Sequence, residues 1–152
     1  MFVLWYSFQM KKGIDNIGIA VIPFAHDGQG NYVVGLRTKK CRDEHNVWEP
    51  TGGGGLKHGE TIEEGVIREM KEELGVTPFN LKSLGVREVF RDIDGQKSHW
   101  IMFDYKVQVD PSQVKIMEPD KCSELRWCKP EDIPHPQHSQ FPIFIEANKD
   151  KL

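Results

Sequence analysis

The stretch from Gly54 to Val76, GGLKHGETIEEGVIREMKEELGV, constrains this chain more than any other. Thr61 followed by Glu64 forms a capping box, and Ile62, Val66, Ile67, Met70 and Leu74 recur at helical spacing. Gly75 supplies a C-cap, and Pro78 keeps the helix from continuing. The pattern predicts a helix that opens after Gly59-Glu60-Thr61 and buries one face against a sheet. Glu69, Glu72 and Glu73 stand at i, i+3 and i+4, so they share another face. Carboxylates at that spacing repel by roughly a few tenths of a kcal/mol per pair. A hard divalent cation would turn the repulsion into attraction, because Mg²⁺ takes oxygen ligands and joins carboxylates to substrate phosphate. The competing reading is a solvated acidic face.

The rest of the stretch separates the two. Gly54, Glu60 after five residues, Arg68-Glu69 after seven more, apolar Met70, Glu72-Glu73 and Gly75-Val76 resemble the Nudix box at every defining position. The resemblance implies an α/β chain, a Nudix-type α/β/α sandwich around a mixed β-sheet. It also implies Mg²⁺- or Mn²⁺-dependent hydrolysis of a nucleoside diphosphate linked to another moiety. Glu69, Glu72 and Glu73 are then the expected metal ligands, aided by the main-chain carbonyl of Gly53. Arg68 would hold Glu69 in place, and Glu60 would support the metal environment more remotely. Glu69 or Glu73 would accept the proton from water, and Glu118 is a candidate where a loop outside the box supplies the base. Many relatives carry proline-glycine-glycine before the box, whereas here Thr51 follows Pro50.

Length and composition set the remaining bounds. At 152 residues there is room for one domain. Its expected limits are residues 13–152 behind an N-terminal extension of residues 1–12. A net charge of −3 leaves no electrostatic footprint for a nucleic-acid polymer or an anionic membrane. The opening MFVLWYSFQM is apolar but too short to span a bilayer and lacks a basic n-region. Met10 before Lys11-Lys12-Gly13 looks like a more natural start, with an extra edge strand or dimer contact as the alternative. Cys41, Cys122 and Cys128 fit no zinc spacing, even with His135 and His138 nearby, so reduced thiols in a cytoplasmic protein are expected. The expected state is a monomer or homodimer acting on a small-molecule nucleotide.

Along the chain, residues 14–25 alternate around Ile17, Ile19 and Val21 and read as a strand, followed by a turn and a second strand from Tyr32 to Leu36. Arg37, Lys39 and their basic neighbours are candidate phosphate contacts. Trp48 is expected to pack against the box helix. Residues 81–90 and 98–109 read as strands joined by a turn over 91–97, with Asp94-Gly95 as the hairpin signal. His99 reads as a structural or rim residue. A loop from Glu118 leads to a further strand through Trp127, and Gln140 to Lys149 reads as a second helix with Phe141, Phe144 and Ile145 on one side.

The segment EPDKCSELRW resembles that of MutT-type nucleoside triphosphate pyrophosphohydrolases, which makes Glu124 a candidate contact to the base edge. The proline of many ADP-ribose hydrolases is replaced here by Arg91 or Asp92, and the tyrosine of many diadenosine polyphosphate hydrolases by Ile93 or Asp94. The leading expectation is a nucleoside triphosphate cut to monophosphate and pyrophosphate. An ADP-ribose or nucleotide-sugar pyrophosphatase and a non-catalytic nucleotide-sensing module are the alternatives. The sensor predicts decay of the box carboxylates, and all are present.

Overall fold

The computed structural model describes residues 9–152, so expectations placed on residues 1–8 lie outside the described residues. Strand β1 (Gly18–His26) turns back into β2 (Tyr32–Arg37), followed by the short β3 (Trp48–Pro50) and β4 (Gly54–Gly55). Helix α1 (Ile62–Leu74) comes next, then the long hairpin β5 (Phe79–Ile93) and β6 (Gln96–Gln108). Strand β7 (Cys122–Cys128) and helix α2 (Phe141–Asn148) complete the domain.

One seven-stranded sheet runs in the order β3-β2-β1-β6-β5, with β4 paired to β1 and β7 paired to β2. The β1–β6 pair is parallel and the others are antiparallel, so the sheet is mixed. Alternation along β1 sends its side chains to two different layers. Val21 and Ala25 join Val66, Met70 and Leu74 of α1 on one face. Phe24 joins Phe141 and Phe144 of α2 on the other, edge-on at 5.6 and 5.5 Å, and stacks on Tyr32 at 4.3 Å. This is an α/β/α sandwich.

The α1 boundaries follow from its caps. Thr61 accepts from the Glu64 N–H while Glu64 accepts from the Thr61 N–H, and Gly75 closes the helix at φ 66°. Three expectations change in detail. Trp48 packs with Phe24, Tyr32, Val34 and Phe141, the α2 layer, rather than on α1. Its backbone pairs opposite Leu36, whose side chain already belongs to that layer, so the register dictates the face. The strand β1 starts only at Gly18, and Ile17 and Ile19 are exposed because α1 packs at Val21 and Ala25 instead. The 91–97 turn shrinks to Asp94-Gly95: φ is 53° and 80° there, and Ile93 pairs with Gln96. Both residues in the left-handed region match the twist of the strands, so pairing continues to the turn.

Candidate active site

Arg68 organises the acidic face of α1. Its Nε donates to Glu60 Oε1 at 2.9 Å and its Nη2 to Glu60 Oε2 at 2.7 Å. Its Nη1 reaches Glu69 Oε1 at 2.5 Å and Glu72 Oε2 at 3.2 Å, while Nη2 also donates to the Gly55 carbonyl at 3.1 Å. One guanidinium therefore ties the loop before the helix to two of the clustered carboxylates. These bonds to the ionised form hold Glu60 down at about 2. Glu69 is buried, whereas Glu72 is 48% exposed and shared with Lys57 Nζ at 3.3 Å.

Glu73 lies in a different environment. Burial pushes its carboxyl up to about 8; the Gly52 N–H, donating to Oε2 at 2.8 Å, opposes this, and Glu69, Glu49 and Glu118 add to it. The glycine run permits that approach. Gly52 has φ +83°, and a Cβ there would fall 2.5 Å from Met70 Sδ. A Cβ on Gly54 would overlap the Glu69 carboxylate. A side chain at Gly52 would be strained at that φ and crowd Met70, and one at Gly54 would displace the Glu69 carboxylate.

Gly53, Gly54, Gly55 and Glu73 line a cavity of about 420 Å³, a volume in the range of small-molecule sites. Ile22, Val89, Trp100, Met102, Phe141 and Phe144 make it apolar over much of its surface. Arg37, Lys40, Arg42, Arg87, Arg91 and Lys121 add six cationic side chains, against two carboxylates from Glu49 and Glu73. Each of the six is paired with a carboxylate, but Lys40, Arg42 and Lys121 are held only in exposed pairs, which leaves them able to turn to an anionic ligand.

Of the residues singled out from the sequence, Arg37 lines this cavity but is engaged within the protein, with Nη1 on Glu49 at 2.8 Å and other nitrogens on main-chain carbonyls. Lys39, Glu118 and Glu124 are not part of the lining. Lys39 is exposed, Glu118 pairs with Lys121 at 3.0 Å, and Glu124 pairs with Arg126 at 2.8 Å. His99 also stays off the cavity, stacked on Phe90 at 4.3 Å with Nε2 2.8 Å from Glu88. Sequence reasoning passed over Arg87 and Arg91. Their one signal is the period-2 alternation of Arg87, Val89 and Arg91 on β5, which puts all three on one face. Arg87 donates two hydrogen bonds to the buried Asp104, at 2.5 and 3.0 Å, beneath α2.

Among the described residues, Asp43, Glu44 and His138 hold their ligand atoms within 4.8 Å of one another. That space already holds cationic partners: Arg91 donates to both carboxylates, and Arg37 and Arg42 also pair with Asp43. The carboxylates of Glu69, Glu72 and Glu73 on α1 offer oxygen donors only, the ligand type that hard divalent ions take, although they are not drawn together as closely as Asp43, Glu44 and His138. The buried Glu73 carboxyl there has a main-chain N–H but no cationic side chain bonded to it.

Comparison with known proteins places this geometry in a family. The NUDIX domain model matches residues 16–146, and the chain belongs to that family. Within it the chain is a Nudix hydrolase, an enzyme of the pyrophosphohydrolase kind. It is 31% identical over 106 residues to nucleoside triphosphatase NudI of Escherichia coli O17:K52:H18, covering 63% of this chain and 74% of that protein. The MutT Nudix hydrolase of Burkholderia pseudomallei superposes with a TM-score of 0.75 at 24% identity, over 87% of this chain and 98% of that one. The Nudix domain of Shewanella oneidensis NrtR, solved with ADP ribose, gives 0.71 at 18% identity over 90% and 88%. No helix among the described residues is long and apolar enough to cross a membrane.

Proposed function

We propose that the chain hydrolyses a nucleoside triphosphate to the monophosphate and pyrophosphate with the help of Mg²⁺ or Mn²⁺. The observation that carries this reading is the cation-lined cavity bordered by Glu73 and the box glycines. Lys40, Arg42 and Lys121, the cations of the lining in exposed pairs, suit a ligand with several negative charges, and the apolar remainder suits a nucleobase. The nucleoside triphosphatase at 31% identity points to the same substrate class.

In this proposal Glu69, Glu72 and Glu73, with the Gly53 carbonyl, hold the cation. When bound, it lowers the pKa of water and screens phosphate charge. Arg68 keeps Glu69 and Glu72 in place, and Glu60 fixes Arg68 from the other side. Glu69 or Glu73 accepts the water proton as the oxygen attacks phosphorus and the bridging phosphoanhydride bond breaks. Lys40, Arg42 and Lys121, all exposed enough to reorient, stabilise charge on the polyphosphate. The free thiols Cys41, Cys122 and Cys128 suit a reducing compartment such as the cytoplasm.

The test is a turnover screen with Mg²⁺ in which products are identified by mass. The panel holds common and oxidised nucleoside triphosphates, ADP-ribose, nucleotide sugars and diadenosine polyphosphates. Monophosphate plus pyrophosphate from a triphosphate is the expected result. Cleavage confined to ADP-ribose or a sugar nucleotide overturns the substrate assignment, and tight binding without cleavage overturns the catalytic one.

A further inference from the structure

We propose that Arg91 is a positioning residue for this cavity: it straps the segment 38–46 in place as a wall, so that Lys40 and Arg42 are presented to the polyphosphate of the substrate. The inference rests on the substrate reading above for what the wall does, and on geometry alone for how the wall is held.

The segment between β2 and β3 contributes Lys40, Cys41 and Arg42 to the cavity. Two of its residues, Glu44 and Asn46, have φ of 47° and 55°; asparagine tolerates this left-handed conformation, whereas glutamate adopts it uncommonly and needs contacts that hold it there. Those contacts come from elsewhere in the fold. Arg91 on β5 is 9% exposed; its Nη2 donates to Asp43 Oδ1 at 3.2 Å and to the Glu44 carboxylate. Arg37 holds the main chain beneath, with Nη2 on the Asp43 carbonyl at 2.7 Å and Nε on that of Glu44 at 2.9 Å. From the segment before α2, Ser139 donates to Glu44 through N at 2.7 Å and Oγ at 2.9 Å, and His138 Nε2 lies 3.0 Å from it.

The cations that the strap carries are held loosely. Lys40, 69% exposed, pairs with Asp120 at 2.6 Å, and Arg42, 64% exposed, pairs with Asp43 at 2.8 Å. Exposed pairs of this kind contribute little and exchange partners readily. The division is thus between a half-buried anchor at Asp43 and Glu44 and exposed cations on the cavity side. Arg91 itself is engaged by the strap carboxylates, so its effect on substrate passes through Asp43 and Glu44. A cation bound by Asp43, Glu44 and His138 would have to displace the Arg91 guanidinium that already donates to both carboxylates.

The experiment uses the full-length protein and the variants Arg91→Gln, Asp43→Asn and the pair combined. Two readouts are taken: steady-state kinetics on the nucleoside triphosphate cut fastest, and trypsin cleavage after Lys39, Lys40 and Arg42 under native conditions, which tracks local opening of the strap. Arg91→Gln is expected to raise KM by about tenfold with kcat within about twofold. Cleavage in the strap should accelerate by about fivefold or more, and the combined variant should be no worse than the more severe single one. Additive KM effects would show that Arg91 meets the substrate directly and overturn the proposal, as would unchanged KM and cleavage. Should Arg91→Gln fail to fold, Arg91→Lys keeps the charge but loses the fork and is read the same way, with a smaller increase in KM. A wild type that cuts no triphosphate refutes the substrate reading instead, and the trypsin result then judges the strap alone.

Discussion

Arg68 and Glu60 form a two-bond fork, 2.9 and 2.7 Å, that joins the helix bearing the acidic cluster to the turn before it. The remaining nitrogen of the same guanidinium reaches Glu69 and Glu72. A lysine offers a single charged nitrogen and cannot serve three carboxylates in a plane. Arg68→Lys is therefore expected to lower kcat by about tenfold to a hundredfold, the loss common to residues that orient metal ligands. A kinetic comparison at saturating Mg²⁺ checks it. Wild-type kcat in Arg68→Lys would remove Arg68 from the organising role.

Glu72 offers the cleanest separation of chemistry from stability. It is 48% exposed, and its partners are Lys57 at 3.3 Å and an Arg68 nitrogen at 3.2 Å. Such an exposed carboxylate contributes little to folding, so Glu72→Gln should change stability by no more than about 0.5 kcal/mol. Metal-dependent turnover should nevertheless fall to background. Urea melts and phosphate-release assays on the same preparation decide it, and full activity in the variant sinks the proposed ligand set.

Glu73 links metal binding to pH. Its carboxyl, pushed up to about 8 by burial, keeps its proton in the metal-free fold at pH values where the unfolded chain has lost it. The folded state then binds more protons than the unfolded one between about 4.5 and 8, so metal-free stability falls as pH rises through that window. A divalent cation takes the place of the proton. The stabilisation given by Mg²⁺ should accordingly grow between about pH 6.5 and 8.5, with proton release on titration in weak buffer. Glu73→Gln should abolish the pH dependence; a Mg²⁺ shift that is the same at both pH values in the wild type would contradict the linkage.

The box and its helix were legible because their determinants are local. The capping pair Thr61 and Glu64, the apolar repeat through Leu74 and the glycine at 75 act within a few residues of one another. The parallel pairing of β1 with β6 was not legible, since residues 27–95 separate the two strands. The layer chosen by Trp48 was lost for the same reason: it depends on a register with Leu36 that only the folded sheet sets. The candidate site divides likewise. Glu69, Glu72 and Glu73 stand out as a helical triplet, whereas Arg87 and Arg91 gain meaning only when the hairpin carries them against Asp104 and the 38–46 strap. Glu124, read as a contact to the base edge, and Glu118, read as a candidate loop base, pair with Arg126 and Lys121.

His138 makes acid stability a test of the strap's anchor. Its Nδ1 accepts from the Gln140 N–H at 3.2 Å, and its Nε2 faces Glu44 Oε2 at 3.0 Å. A neutral ring protonated on Nε2 satisfies both partners; a second proton would oppose the Gln140 N–H. Burial lowers its pKa to about 4, the Glu44 charge works against this, Arg91 and Arg37 reinforce it, and Asp43 opposes it. As pH falls below the ordinary imidazole value of about 6.5, the unfolded chain takes up the proton before the folded one. Stability present above that value is therefore lost as pH falls toward the folded value of about 4. At about pH 5 the loss is on the order of 1–2 kcal/mol. His138→Gln, which can still donate to Glu44 and carries no titrating group, should remove that part of the acid slope while the part due to carboxylates remains. Chemical denaturation at about pH 5 and pH 7 measures the difference, and equal slopes for the two proteins would show that the ring titrates alike in the folded and unfolded states.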